Sequence, residues 1–211
     1  MAKQAWKGST LLAPMPAALV TCGTLETPNI FTVAWTGIVN TQPPKTYISV
    51  RPERFSYPLI RQSGEFVINL STRQLLHAVD FCGVRSGRDT DKFTMCNLTP
   101  EPASQLSCPM LAQSPLSLEC RVTDVLELGS HHMLLADIVA VNADEQLLAE
   151  SGKLQLNRAD LIAFAHGAYY ELGRQLGTFG YSVAKKKPAA KQGRPAKGGR
   201  SRSRANTIQN L

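Results

Sequence analysis

Twenty-five consecutive residues, Ser117 to Val141, read as one long antiparallel hairpin. From Ser117 to Leu128, Leu118, Cys120 and Val122 alternate with Glu119, Arg121 and Thr123, the period-two pattern of a strand with one face buried. The alternation slips near Val125, which predicts a bulge. Gly129-Ser130 supplies the turn, and His132–Val141 is apolar on both faces, as a central strand is. A hairpin this long must find further strands to cover it.

The first half of the chain supplies them. Strands are expected at Ala17–Thr24, Phe31–Gly37, Thr46–Arg51 and Glu65–Leu70, rich in β-branched residues and separated by Pro28-Asn29 and Pro43-Pro44. A short helix fits Tyr57–Ser63, with Ser56 as its N-cap and Pro58 in the first turn. A second fits Thr72–Phe81, where Leu75, Leu76 and Val79 share a face. A third is expected from Asn157 to Gly167, capped by Asn157. The fold class is mainly β: about six antiparallel strands in a barrel, with a few short helices. With 211 residues, 43% of them hydrophobic, the chain can bury such a core without a metal or disulfide staple.

The net charge of +7 belongs to one segment. Lys185, Lys186, Lys187, Lys191, Arg194, Lys197, Arg200, Arg202 and Arg204 lie in a stretch with no acidic residue and little to bury, so residues 184–211 read as a basic, disordered tail. Without those nine cations, 14 basic residues face 16 acidic ones, and the body, residues 1–183, is not a basic nucleic-acid surface. The tail itself would hold nucleic acid without sequence preference. Five cysteines with no C-x-x-C pair point to a reducing, cytoplasmic setting. Lys3 and Lys7 ahead of Leu11–Val20 loosely mimic a signal peptide, but Pro14 and Pro16 break the apolar run. No run approaches the roughly 20 residues of a membrane helix.

Familiar nucleotide signatures are missing, including G-x-x-x-x-G-K-[ST] and a G-x-G-x-x-G after a strand, so any nicotinamide nucleotide is not held by a Rossmann unit. His131-His132 does not suit a metal, because neighbours on a strand point to opposite faces. Three stretches carry chemistry. Asn29 to Gly37 mixes hydroxyls, a small residue and Trp35, which suits either a planar heterocycle or an ordinary strand with a core tryptophan. Arg51, at a strand end before a helix, suits a phosphate or a plain surface, with Ser56 and the following N–H groups nearby. Ser86-Gly87-Arg88-Asp89-Thr90-Asp91-Lys92-Phe93 reads as a turn or as a nest of N–H groups closed by Lys92.

Their order is more telling than any one of them. Pro28-Asn29-Ile30-x-Thr32-x-Ala34-Trp35, a Pro-Pro turn, Ile48-Ser49-Val50-Arg51-x-x-Arg54-Phe55-Ser56, Gly64-Glu65-Phe66-Val67-Ile68-Asn69 and Ser86-Gly87-x-Asp89-x-Asp91-Lys92-Phe93 follow one another. Together they resemble the flavin reductase-like, FMN-binding split-barrel family, with flavoredoxins as the nearest branch, over about residues 10–182. The resemblance implies a homodimer with non-covalent FMN near the subunit interface. It implies that Asn29, Thr32, Ala34, Trp35 and Thr36 line the isoalloxazine and that Arg51, Ser56 and Tyr57 meet the phosphate. Ser86, Gly87 and Lys92 would close the loop side, and His131 would face the ring or serve as a structural histidine. Phe164 would pack on the flavin or in the core, while Phe179 reads as core. The implied activity is that of a flavin-dependent oxidoreductase passing electrons from NADH, NADPH or a redox protein to a flavin, metal complex or other acceptor. A non-catalytic flavin store, or a dimeric platform for the basic tail, remains the alternative.

Overall fold

The computed structural model describes residues 1–184, so the basic tail lies outside the described residues. The strands are β1 (Met15–Pro16), β2 (Ala18–Gly23), β3 (Pro28–Val33), β4 (Thr36–Thr41), β5 (Pro44–Val50), β6 (Glu65–Asn69), β7 (Pro100–Glu101), β8 (Met110–Leu111), β9 (Leu116–Glu127), β10 (His132–Ala143), β11 (Ile162–Ala165) and β12 (Ala168–Glu171). The helices are α1 (Ser56–Ser63), α2 (Leu76–Val84) and α3 (Lys92–Met95). Met1–Gly173 forms one unit. In the second unit, described to residue 184, a 3-10 turn spans Tyr181–Val183 and Phe179 is exposed rather than a core residue.

Seven strands make the principal sheet, in the order β3-β2-β6-β9-β10-β5-β4, and every pair is antiparallel. The expected strand Phe31–Gly37 is therefore two strands. Ala34 and Trp35 interrupt it because the chain passes there from one edge of the sheet to the other. The Ser49 N–H reaches across that seam to the Trp35 carbonyl at 2.9 Å. The result is a barrel split at Ala34-Trp35. The long hairpin is present, and its register shifts at Thr123, two residues before the expected bulge.

Strand β2 is buried on both faces because it separates two cores. Ala18, Val20 and Cys22 point into the barrel with Phe31, Ile48, Phe66, Ile68 and Leu134, and Ile60 of α1 closes it. Ala17 and Leu19 point outward, under Ala78, Val79 and Cys82 of α2 and Phe93 of α3. The apolar stretch that mimics a signal peptide thus contributes a core strand.

Three local expectations need correction. Phe55, not Ser56, is the N-cap of α1, and no side chain caps that helix. Of the face assigned to the second helix, Leu75 and Val79 are buried but Leu76 is 38% exposed, because the chain enters through a 3-10 turn, Arg73–Leu75. The helix expected over Asn157–Gly167 is a 3-10 turn, Leu156–Arg158, followed by the β11–β12 hairpin. His166 and Gly167 both have positive φ, 49° and 85°, as a tight two-residue hairpin turn requires. Strand β11 pairs with β1, a partner from the opposite end of the sequence that local periodicity cannot reveal.

Outside the barrel, residues 102–109 are bound to the sheet by carboxylates. Glu119, fully buried, accepts from the Ser104 N–H (2.8 Å) and hydroxyl (2.6 Å), the Gln105 N–H (2.8 Å) and Asn142 Nδ2 (2.7 Å). Glu65 accepts from the N–H and hydroxyl of Ser107. Burial raises the Glu119 pKa, but the hydrogen bonds from Ser104, Asn142 and Gln105 outweigh it and hold the carboxyl below the usual value of 4.5. Because the folded value lies below the unfolded one, this stabilisation is complete above about pH 4.5 and is lost as pH falls through the folded value. Glu119→Ala is expected to lower unfolding free energy in urea by roughly 2–4 kcal/mol, since several donors lose their acceptor. Glu119→Gln should flatten the acid limb of stability against pH; an unchanged limb would place the acid sensitivity elsewhere.

Candidate functional site

Strand β3 connects two hollows. At its start lies a cleft of about 880 Å³ lined by Asn29, Phe55, Leu59, the loop from Gly87 to Lys92, and Leu98. At its end lies a smaller hollow of about 160 Å³, lined by Thr32, Ala34, Trp35, Ser49, Arg51, Arg54 and His131. Thr32 lies three residue steps beyond Asn29, roughly 10 Å at strand spacing.

The large cleft is built on a tight contact. Asn29 is buried and donates from Nδ2 to the Ser56 hydroxyl (2.7 Å) and the Cys22 sulfur (3.5 Å). The loop after α2 lies directly against it: a Cβ at Gly87 would collide with Asn29 Oδ1 and come within 2.9 Å of the Phe55 ring. Ser86 shapes this loop by accepting the Arg88 N–H at 3.2 Å. Asp91 ends it, capping α3 through the N–H (3.2 Å) and hydroxyl (2.6 Å) of Thr94.

Lys92 is the unusual group. Only 4% of it is exposed, and its Nζ makes a single long contact, 3.4 Å, to the Arg85 carbonyl. An ammonium carries three donors, and a buried one needs partners. Burial pulls its pKa below the ordinary lysine value, opposed by nearby Cys82 and Cys22. Burial pushes the Cys22 thiol up to about 11 and the Cys82 thiol up to about 12, which disfavours the thiolate form. All five cysteines are free.

In the smaller hollow His131 lies over Trp35, with ring centroids 4.5 Å apart and planes at 40°. Burial against the indole, then the charge of Arg51, lowers its pKa; Glu53 opposes this and Arg54 adds to it. His132 points the other way, to the Tyr57 hydroxyl at 2.6 Å.

The sequence-derived residues thus fall into separate places. Asn29, Gly87 and Lys92 line the large cleft; Thr32, Ala34, Trp35, Arg51 and His131 line the small one. Thr32 faces away from Asn29 and donates to the Val79 carbonyl of α2. Thr36 donates to the Tyr47 carbonyl at 2.6 Å. Arg51, Ser56 and Tyr57 are not brought together: Ser56 is buried beneath Asn29, and the Tyr57 ring packs on the barrel core. Phe164 is half-buried and packs edge-on against Tyr169. Arg54 and Phe55 are additions; both stand in the motif that begins at Ile48, and Arg54 also ties to the Gly83 carbonyl at 3.0 Å.

A family model for the flavin reductase like domain matches residues 11–173. The chain belongs to the flavin reductase-like family. Within it the chain is similar to the flavoredoxin of Desulfovibrio vulgaris (Miyazaki F), at 30% identity and a TM-score of 0.80 over 87% of this chain and 100% of that one. A structure with a split barrel domain from Shewanella frigidimarina shares the fold, at 23% identity and a TM-score of 0.71 over 80% of this chain and 86% of that one. An NADPH-flavin oxidoreductase of Streptomyces viridifaciens is 30% identical over 135 residues, 63% of this chain and 69% of the relative. These likenesses place the chain on the flavoredoxin branch of the flavin reductase-like family and make it a flavin-related oxidoreductase. Within such a fold, Gly87→Ala is expected to cost about 1–3 kcal/mol in thermal or urea unfolding, because Asn29 and Phe55 must shift. A neutral effect would mean that the loop does not fix the Asn29 amide.

Proposed function

We propose that the protein binds FMN non-covalently along β3 and works as a flavin-dependent oxidoreductase of the flavin reductase and flavoredoxin type. The observation that carries this reading is Lys92, a buried cation with unused donors at the wall of a cleft of about 880 Å³. A cleft of that size suits a cofactor. The Ser86–Lys92 loop supplies N–H groups and a positive charge for a phosphate, and Gly87 keeps the approach open.

When bound, the flavin supplies the electron-transfer chemistry that no side chain performs well. The chain's own residues bind and orient it. Lys92 and the neighbouring N–H groups hold the phosphate, and Asn29, fixed by Ser56, reads the polar chain next to it. Trp35, Ala34 and Thr32 would surround the ring end, with Thr36 just beyond it. There Arg51 would offer positive charge and His131 an N–H donor to the ring of a bound flavin. Arg51 thereby moves from the phosphate to the ring end, and Ser56 becomes a support for Asn29.

Electrons come from NADH, NADPH or a protein partner and leave to a flavin, a metal complex or another acceptor. A homodimer fits the exposed Ile38 and Val39 on the edge strand β4 and Leu126 and Leu128 at the hairpin tip. No described helix is long and apolar enough to cross a membrane, and the free thiols suit a reducing, cytoplasmic setting.

Absorption spectroscopy of the purified protein with added FMN, then anaerobic NADH or NADPH, tests the assignment. A bound flavin bleached by the nicotinamide is expected for a reductase. Bleaching only by dithionite would favour an electron carrier or a flavin store, and no FMN uptake would overturn the reading. Lys92→Met, an uncharged residue of similar length, should weaken FMN binding about ten- to a hundredfold, the loss of a charge-assisted contact of roughly 1.5–3 kcal/mol. Wild-type affinity would place the phosphate elsewhere. Arg51→Ala should weaken binding less than Lys92→Met and slow reduction of the bound flavin; the reverse order of affinities would return the phosphate to Arg51.

A further inference from the structure

Trp35 lines more than the arginine-flanked hollow. It also walls two neighbouring hollows of about 260 and 430 Å³, which share Thr10, Leu12 and Met15 and therefore make one groove. Its other walls include Tyr47 and Phe164. No Asp, Glu, Lys or Arg lines it, in contrast to the large cleft with Arg88, Asp89, Asp91 and Lys92. The Thr36 hydroxyl is already donated to the Tyr47 carbonyl. The Tyr47 ring is held against Gly37, where an added Cβ would sit 3.3 Å from Cε1. Phe164 is fixed by its edge contact with Tyr169.

The geometry points to this groove as a binding site for neutral, planar compounds of one or two rings, such as aromatic ketones, aldehydes or quinones. Aromatic walls favour a flat ring. A cationic ligand would lose water without finding a carboxylate, and an anionic one would meet neither Arg nor Lys, His166 being the one wall residue able to offer it a positive charge. Each of the two hollows, of about 260 and 430 Å³, admits a compound of one or two rings. Leu12, 81% exposed, stands uncovered at the wall. Ala34 and Trp35 line both this groove and the hollow assigned to the ring end, so its role as a substrate site rests on the flavin reading. Binding of the neutral compound does not.

The test uses full-length protein carrying Trp6→Phe, so that Trp35 alone reports. It is titrated with acetonaphthone and with naphthalenecarboxylate, a similar ring carrying a charge, and bound compound is measured by equilibrium dialysis. FMN uptake is followed separately by visible absorbance. Saturable acetonaphthone binding that changes Trp35 emission is expected, with the carboxylate weaker by about tenfold or more. Leu12→Asp should weaken acetonaphthone binding about tenfold by placing a charge on the wall. Absent saturation, equal binding of the two compounds, or an unaffected Leu12→Asp protein overturns the proposal. So does a wild-type protein that excludes the ketone while Leu12→Asp lowers its sedimentation mass, because a second copy then occupies the groove. Acetonaphthone binding in the expected pattern without FMN uptake keeps the groove and removes the flavin reading.

Discussion

Asn69 holds the sheet and its outer cover together. Its Nδ2 donates to the Leu19 carbonyl (3.0 Å) and the Thr21 hydroxyl (3.0 Å), and its Oδ1 accepts from the Leu111 N–H (3.0 Å) and the Ser117 hydroxyl (2.7 Å). The Thr21 hydroxyl in turn donates to the Pro109 carbonyl at 2.6 Å. One fully buried amide therefore joins β2, β6, β8 and β9. Such a network is strong when complete, because each member satisfies another in a region with little water. Replacing the amide by an apolar side chain would leave Leu111 N–H without its acceptor. With Glu65 and Glu119 it lays residues 102–111 across the outside of the barrel. Cys108 and Met110 then pack on Val67.

This network changes the meaning of a motif. Gly64-Glu65-Phe66-Val67-Ile68-Asn69 helps to identify the family, yet its parts have structural duties in this chain. Gly64 ends α1 with φ 70°, Phe66 fills the barrel, Glu65 holds Ser107 and Asn69 joins the strands. A motif can mark a flavin-binding fold through residues that line neither hollow at β3.

The barrel was legible because alternation in Ser117–Leu128 and β-branched runs in the first half are local signals. The β11–β12 hairpin was not. Ile162 and Phe164 carry apolar residues compatible with a helix, and only the pairing of Phe164 with Met15 makes them a strand. Within the candidate site, Gly87 and Lys92 could be found because a Ser-Gly turn followed by a capping Asp91 is short-range chemistry. The directions of Ser56 and Tyr57 could not. Helix α1 begins one residue earlier than a serine cap would place it, so Ser56 turns inward to Asn29 and Tyr57 turns to the barrel. A shift of one residue on a helix rotates a side chain by about 100°.

The pairing of β1 with β11 also sets an order of events on the ribosome. Met15 and Pro16 emerge early, but their partners Ala163 and Phe164 appear only after the principal sheet has been made. The wall that carries Leu12 and Met15 cannot be fixed until nearly the whole domain is available. Trp35 therefore remains open on that side throughout synthesis. A chain that ended before residue 162 would hold every strand of the principal sheet yet lack the partner that fixes Met15 and Pro16.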